Sequence, residues 1–332
     1  MEWRELLQAG LDRLSVVTPA QWCQAFFLLA AGGVLAVAAA PRDARALLID
    51  YGARKADQGR QTQTQQPSAG ARGAQGRNRL LSLLDTLTAW TQVPHSWFGT
   101  FYILSAACSI FWLAQFLFDG ALLRRIASRQ ADAIQAQHAS SPTARQVALG
   151  WVMMFAQAAR RIYEQAAVVK PSRTSRMWVV HWLLGLGFYL AMSVAIWVDG
   201  SAAILDRGRH HAANDYEALL KMVVAGRVFL KAWVGQHQCH KHLAGLKKYS
   251  LPDTGMFRRY ICPHYTCECL LYLSMAVATA PPGSLCNRTL LCAVVFVAAN
   301  LGVTASGTRK WYAQKFGASA VEGKWNMVPF VF

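Results

Sequence analysis

Cys262-Pro-His-Tyr-Thr-Cys-Glu268 runs straight into the apolar stretch LLYLSMAVATA, so an imidazole and a carboxylate ride on a segment that reads as membrane. An acidic side chain at that depth costs about 2.5–3.5 kcal/mol on insertion scales unless a partner or water meets it. His264 and Glu268 stand one helical turn apart and face the same side as Tyr272. A second group is Gln157, Arg160, Arg161 and Glu164, whose spacing puts them on one helical face, with Glu164 able to pair with either arginine. Such side chains face a cavity or a partner helix and not lipid; the plainer alternative is a salt bridge that helps helices pack. A third group begins with Gln236 and His240, again one turn apart, and continues to Lys247 and Lys248, donors suited to an anion such as phosphate. A solvated basic loop would look the same. Tyr102 adds a phenol beside an apolar run, where a tyrosine is commonly an interfacial anchor. Arg258, Tyr260, Arg309, Lys310 and Tyr312 complete the polar C-terminal patches, and together these patches suit a phosphate-bearing cofactor that enters from the aqueous side.

Cys262, His264, Cys267 and Cys269 raise a zinc alternative. A structural zinc site needs regularly paired ligands in a polar knuckle, whereas these spacings are irregular and two of the thiols enter the apolar run. No metal is expected, and the eight cysteines read as reduced, mostly buried side chains.

The elements that must position these groups are membrane helices. The 332 residues are 54% hydrophobic and only 15% charged, with 12 Trp and 15 Phe, against roughly 25% charged in soluble domains. Runs of about 20 apolar residues cross ~30 Å of hydrocarbon. Segments 22–40, 96–118 and 177–198 carry no charge, 263–281 and 289–307 carry few, and 147–168 and 218–235 are the most polar. This predicts an all-α membrane protein of seven transmembrane helices. Segments 41–93, 168–178, 236–262 and 307–332 hold 20 Lys and Arg, against 9 in the alternate set. Positive charge collects on the cytoplasmic side, which predicts a lumenal N-terminus and a cytoplasmic C-terminus.

The net charge of +17 then reflects topology and attraction to anionic lipid. No basic stripe with interleaved aromatics suggests nucleic acid, and no obligate protein partner is inferred. The opening lacks the pattern of a cleavable signal peptide, so the first span is expected to act as its own insertion signal. Residues 54–79 are rich in Gln, Gly and Ala without aromatics, and are expected to be a disordered cytoplasmic insert in one membrane domain spanning 1–332. Asn287-Arg-Thr289 matches a glycosylation acceptor on the predicted lumenal side, close to the membrane.

Several motifs in order carry a family resemblance: Q-x-x-R-R-x-Y-E at Gln157 to Glu164, Q-x-x-C-H-x-x-L-x-x-L-K-K at Gln236 to Lys248, CPHYTCE, K-W-Y-x-x-K-F at Lys310 to Phe316, and the terminal PFVF. Val93-Pro-His-Ser-Trp-Phe-Gly-Thr-Phe-Tyr102 extends the match to the second span. The chain resembles the steroid 5α-reductase family and, within it, the polyprenal (polyprenol) reductase branch in its fungal form. The resemblance implies a multi-pass endoplasmic reticulum enzyme whose residues 150–332 bind NADPH. Gln236, His240, Lys247, Lys248, Tyr260, His264, Glu268 and Tyr312 would line the cofactor, with Arg258, Arg309 and Lys310 near its phosphates. Two positions depart from the family pattern: His264 stands where Asn is usual, and Thr100 where a His precedes the Phe-Tyr.

The implied reaction is reduction of the α-isoprene carbon–carbon double bond of polyprenal to dolichal, in dolichol synthesis for protein glycosylation. Its substrate would be a long-chain isoprenoid drawn from the bilayer. A nicotinamide reduces such a bond when a conjugated carbonyl is polarised by a donor. Tyr102, or Tyr163 with Glu164 behind it, would be that donor, with Arg161 fixing its orientation. Reduction of an enone steroid, and methyl transfer by a membrane enzyme of similar architecture, are the alternatives.

Overall fold

The computed structural model describes residues 17–40, 86, 88, 90–169, 175–206, 216–247 and 250–332. The expected insert at 54–79 and Lys248 lie outside these residues. The described helices are α1 (Pro19–Ala39), α2 (Gly99–Leu117), α3 (Ala121–Ala136), α4 (Ala144–Tyr163), α5 (Val179–Val198), α6 (Ser201–Leu205), α7 (Tyr216–Gly245), α8 (Pro263–Ala278) and α9 (Arg288–Phe316). One short antiparallel ladder joins β1 (Gln92–Pro94) to β2 (Arg176–Trp178), with Gln92 opposite Trp178.

Among the described residues, four helical stretches are long and apolar enough to cross a membrane: Pro19–Ala39, His95–Leu117, Val179–Val198 and Arg288–Phe316. They coincide with the uncharged sequence runs and with 289–307. The other three expected spans are helical too, but charge or length sets them apart. α4 carries Arg160 and Arg161, α7 carries Lys221, Arg227 and Lys231, and α8 has 16 residues, a rise of about 24 Å. One helix was not foreseen: α3 occupies what reads as a loop, because Leu123, Ala127 and Gln130 form a narrow buried face between arginines. Its Gln130 accepts from Ala20 N at the start of α1, at 3.0 Å.

Local chemistry starts three of the helices. Thr18 and Thr143 form capping boxes with Gln21 and Gln146, and Pro263 sits at the first turn of α8, where its missing N–H is not needed. Helices in lipid are held by close packing and polar ties, and one such tie sets the site. Gln146, fully buried, donates through Nε2 to Ala278 O at 2.9 Å and Ala280 O at 2.8 Å. It locks the start of α4 to the end of α8. At Gly150, a turn along, a Cβ would come 2.6 Å from Thr279 Cγ2, so the two helices meet at near-backbone distance only because that residue is glycine.

Helix α7 packs along α8, α9 along α1 and α8, and α2 along α4 and α5. The apolar core between them includes Phe27, Met192, Leu271, Met275 and Leu290. At the other end of α8 the C-terminal segment returns as a strap. Trp325 N donates to Arg259 O at 2.9 Å, Ile261 N to Trp325 O at 2.8 Å, and Cys262 N to Asn326 O at 3.0 Å. Thr266 Oγ1 donates to Met327 O at 2.6 Å, which pins the first turn of α8.

Candidate functional site

Where α2, α4, α7 and α8 converge, a polar cluster replaces the apolar core. Its middle is Glu164, with no exposed side-chain surface. Directly after α4 the backbone widens into a π turn over Glu164–Val168, with Val169 N donating to Glu164 O at 2.8 Å. Such turns recur at functional sites because they redirect a side chain within a helix. Here the carboxylate points at α7: Oε1 lies 2.8 Å from His237 Nδ1, and Oε2 lies 2.7 Å from His240 Nδ1. Arg161 also donates to Oε2, and Arg160 is 3.7 Å from Oε1. Burial lowers the His240 pKa below the usual imidazole value, opposed by its hydrogen bond to Glu164.

Arg161 reaches the other way with its second nitrogen, donating to the Tyr102 hydroxyl oxygen at 2.6 Å while its guanidinium lies over the ring, 4.7 Å from the centroid. Tyr102 is buried at the first turn of α2. Since its oxygen accepts from Arg161, its own O–H remains to be given elsewhere. On the opposite flank, Arg160 donates to Gln157 Oε1 at 2.7 Å, to Gln236 Oε1 and to the Trp233 carbonyl. Gln157 Nε2 donates to Gln236 Oε1 at 3.0 Å and to Glu268 Oε2 at 3.3 Å. Gln236 Nε2 donates to the same Glu268 oxygen and, at 3.3 Å, to His264 O. Two arginines and two carboxylates therefore share one enclosed network, the arrangement that lets charge persist out of water.

Of the residues singled out in the sequence, Tyr102, Arg161, Glu164, Gln236, His240, His264 and Glu268 meet here. Tyr163 does not: it is 57% exposed, its ring 6.3 Å from that of His237. Lys247, Arg258 and Lys310 are exposed at the polar end. Arg309 donates to Val321 O at 2.9 Å and to Lys324 O, so its guanidinium holds the strap. Tyr260 bridges to Trp325, and Tyr312 packs on the cluster of Ile261, Cys262 and Met327. Thr100 donates to Trp97 O at 2.6 Å and accepts from Trp182 Nε1 at 3.0 Å, which fastens the entrance of α2. Asn287 caps α9, accepting from Leu290 N at 3.0 Å, with its amide nitrogen buried against Thr279 O at 3.3 Å. Sequence reading passed over His237, although it stands three residues before His240 on the same helix.

Sequence comparison gives the lineage of the chain that carries this cluster. Residues 175–332, a little under half of the chain, match the family described as 3-oxo-5-alpha-steroid 4-dehydrogenase, so this part is a domain of the steroid 5α-reductase family. Among its relatives, Polyprenal reductase 1 of Arabidopsis thaliana is 30% identical over 185 residues, 47% of this chain and 56% of that protein. The Polyprenal reductase of Saccharomyces cerevisiae is 26% identical over 54% of this chain and 63% of its own length, and that of Drosophila melanogaster 25% over 73% and 77%. The chain spans a little over half the length of the plant relatives it matches. The family match covers α5 to α9 and so includes Gln236, His240, His264 and Glu268, while Tyr102, Arg161 and Glu164 come from the part before it.

Proposed function

We propose that this chain reduces the α-isoprene double bond of polyprenal to dolichal with NADPH, as a step of dolichol synthesis for protein glycosylation in the endoplasmic reticulum membrane. In this reading the chain is a single domain of seven spans with the C-terminus cytoplasmic, and residues 150–332 form the cofactor-binding part. The supporting observation is the Arg161–Tyr102 contact at 2.6 Å, which leaves the phenol free to donate to a carbonyl at the buried end of the cluster.

The residues present fit a nicotinamide. Both glutamine bonds to Glu268 land on Oε2, which leaves Oε1 open to accept from a carboxamide NH₂. One turn before it, His264 Nδ1 is buried without a partner among the described residues, an uncompensated cost unless a ligand meets it. In this reading the exposed Lys247 and Arg258 take the phosphates. When bound, the nicotinamide supplies a hydride to the β-carbon of the conjugated aldehyde. Tyr102 holds the aldehyde oxygen as charge develops on it, and Arg161, paired with Glu164, keeps the phenol oriented and stabilises that charge. The enclosed cluster excludes water from the developing enolate. The isoprenoid tail lies among the lipid-facing helices.

Purified protein supplied in parallel with NADPH and polyprenal, polyprenol or an enone steroid tests this, with saturated product followed by mass spectrometry. Saturation of polyprenal alone supports the reading. Saturation of the steroid alone favours the substrate class in the family's description.

A further inference from the structure

Glu164 is gripped by two imidazoles at once, one on each oxygen: His237 Nδ1 at 2.8 Å from Oε1 and His240 Nδ1 at 2.7 Å from Oε2. The three side chains differ in exposure: His237 29%, Glu164 0% and His240 12%. His237 also stands just past the expected span in α7, residues 218–235, at the end nearest the exposed Lys247. The arrangement therefore leads from a wet imidazole through a dry carboxylate to an enclosed imidazole. Neutralising Glu164 does not require His237, because Arg161 pairs with it directly and Arg160 lies 3.7 Å away. Nor can Tyr102 supply every proton, since its oxygen is held by Arg161 and its hydrogen is committed to the carbonyl.

We propose that His237 takes up from water the proton that the reaction consumes, and that Glu164 passes it to His240, which donates it to the substrate. This rests on the reductase reading above, because saturating a conjugated double bond uses one hydride and one proton. The hydride from the nicotinamide forms the new C–H bond at the β-carbon. The electron pair of the double bond moves onto the α-carbon and carbonyl oxygen, and a proton then bonds to the α-carbon. His240, as imidazolium, releases that proton; the proton on His237 passes to the Glu164 carboxylate and from it to His240, and His237 takes a new proton from solvent. A relay member should hold its proton loosely, and burial weakens that hold at His240. The groups facing His237 are Glu164 and the Tyr163 ring, with Arg160 and Arg161 behind the carboxylate; those facing His240 are Glu164, Arg161 Nη1 at 2.7 Å from the same Nδ1, and the His264 ring at 5.7 Å.

Two variants separate a relay from a brace. His237→Gln keeps a hydrogen-bond donor for Glu164 Oε1 but carries no titratable proton, and His237→Ala leaves space for free imidazole. In both, kcat falls about a hundredfold, the lower end of what a positioned proton-transfer group contributes, while NADPH affinity by fluorescence quenching is unchanged. Imidazole in the buffer restores His237→Ala and not His237→Gln. Wild-type kcat in His237→Gln, or no rescue of His237→Ala, overturns the proposal. A measurement without turnover runs beside them: with ¹⁵N-labelled histidine, the His240 nitrogens respond to protonation of His237 in the wild type and lose that response in His237→Gln. Identical His240 titrations in the two proteins also overturn it. A wild type that reduces no polyprenal refutes the reductase reading instead, and the ¹⁵N titration still decides the relay.

Discussion

Replacing Tyr102 by Phe removes one hydroxyl and little else. The ring keeps its edge contacts with Phe98 and Tyr189, each at 5.9 Å between centroids, so the local packing survives. Arg161 loses an acceptor at 2.6 Å but retains Glu164 and His240. The stability cost is therefore that of one hydrogen bond to a charged group, about 1.5–3 kcal/mol at most. The kinetic cost is larger, because in the proposed reaction the phenol is the donor to the oxygen on which charge develops. Loss of one such donor raises the barrier by about 2.7–4 kcal/mol, a 10²–10³-fold fall in kcat. The assay is saturated-product formation from polyprenal at saturating NADPH, with thermal unfolding in detergent and NADPH binding measured on the same preparation. Tyr163→Phe is the control: that ring is 57% exposed, and turnover stays within about twofold, as for an ordinary surface substitution. Tyr102→Phe turning over within threefold of wild type, or Tyr163→Phe losing most activity, would refute the assignment of the phenol.

Three further outcomes follow from other contacts. Glu268→Gln keeps the side-chain volume but places an amide against the donors Gln157 and Gln236, and it weakens NADPH binding about tenfold or more, roughly the 1.4 kcal/mol of one good hydrogen bond; unchanged NADPH affinity with a lost chemical step would contradict the carboxamide role. Gln146→Ala strips donors from the buried carbonyls of Ala278 and Ala280 and destabilises the protein by about 2 kcal/mol or more, visible as a lower melting temperature; an unchanged melt would mean that this tie does not hold α4 to α8. Asn287→Gln leaves electrophoretic mobility unchanged with and without glycosidase, because the amide nitrogen is buried on Thr279 O, and it costs about 0.5–2 kcal/mol as a lost helix cap; a mobility shift would show that the cap opens.

How far each feature was legible depended on how local its cause is. The uncharged runs 22–40, 96–118 and 177–198 announced their helices, since apolar length is a property of consecutive residues. The pairs Gln236 and His240, or His264 and Glu268, were legible for the same reason: a helical turn puts them on one side wherever the helix lies. Local pattern failed at α3, whose buried face is only three residues wide among arginines. It also gave no sign that Arg309 ties the strap carbonyls, because those acceptors arrive from a later segment.

By itself the sequence determined the helical character, the polar inventory and the family motifs, all properties of neighbouring residues and their spacing. Only the tertiary structure decided which of those groups meet. Tyr102 and Arg161 lie 59 residues apart in the chain, and Gln157 and Glu268 lie 111 apart. Whether such pairs touch depends on how far each helix slides along its neighbour. That register is set by Gln146 and Gly150 between α4 and α8, and by the strap at the start of α8. The burial of Tyr102 against the exposure of Tyr163, and the place of His237 on Glu164, follow from that register and from the π turn after α4, neither of which is visible in residue spacing.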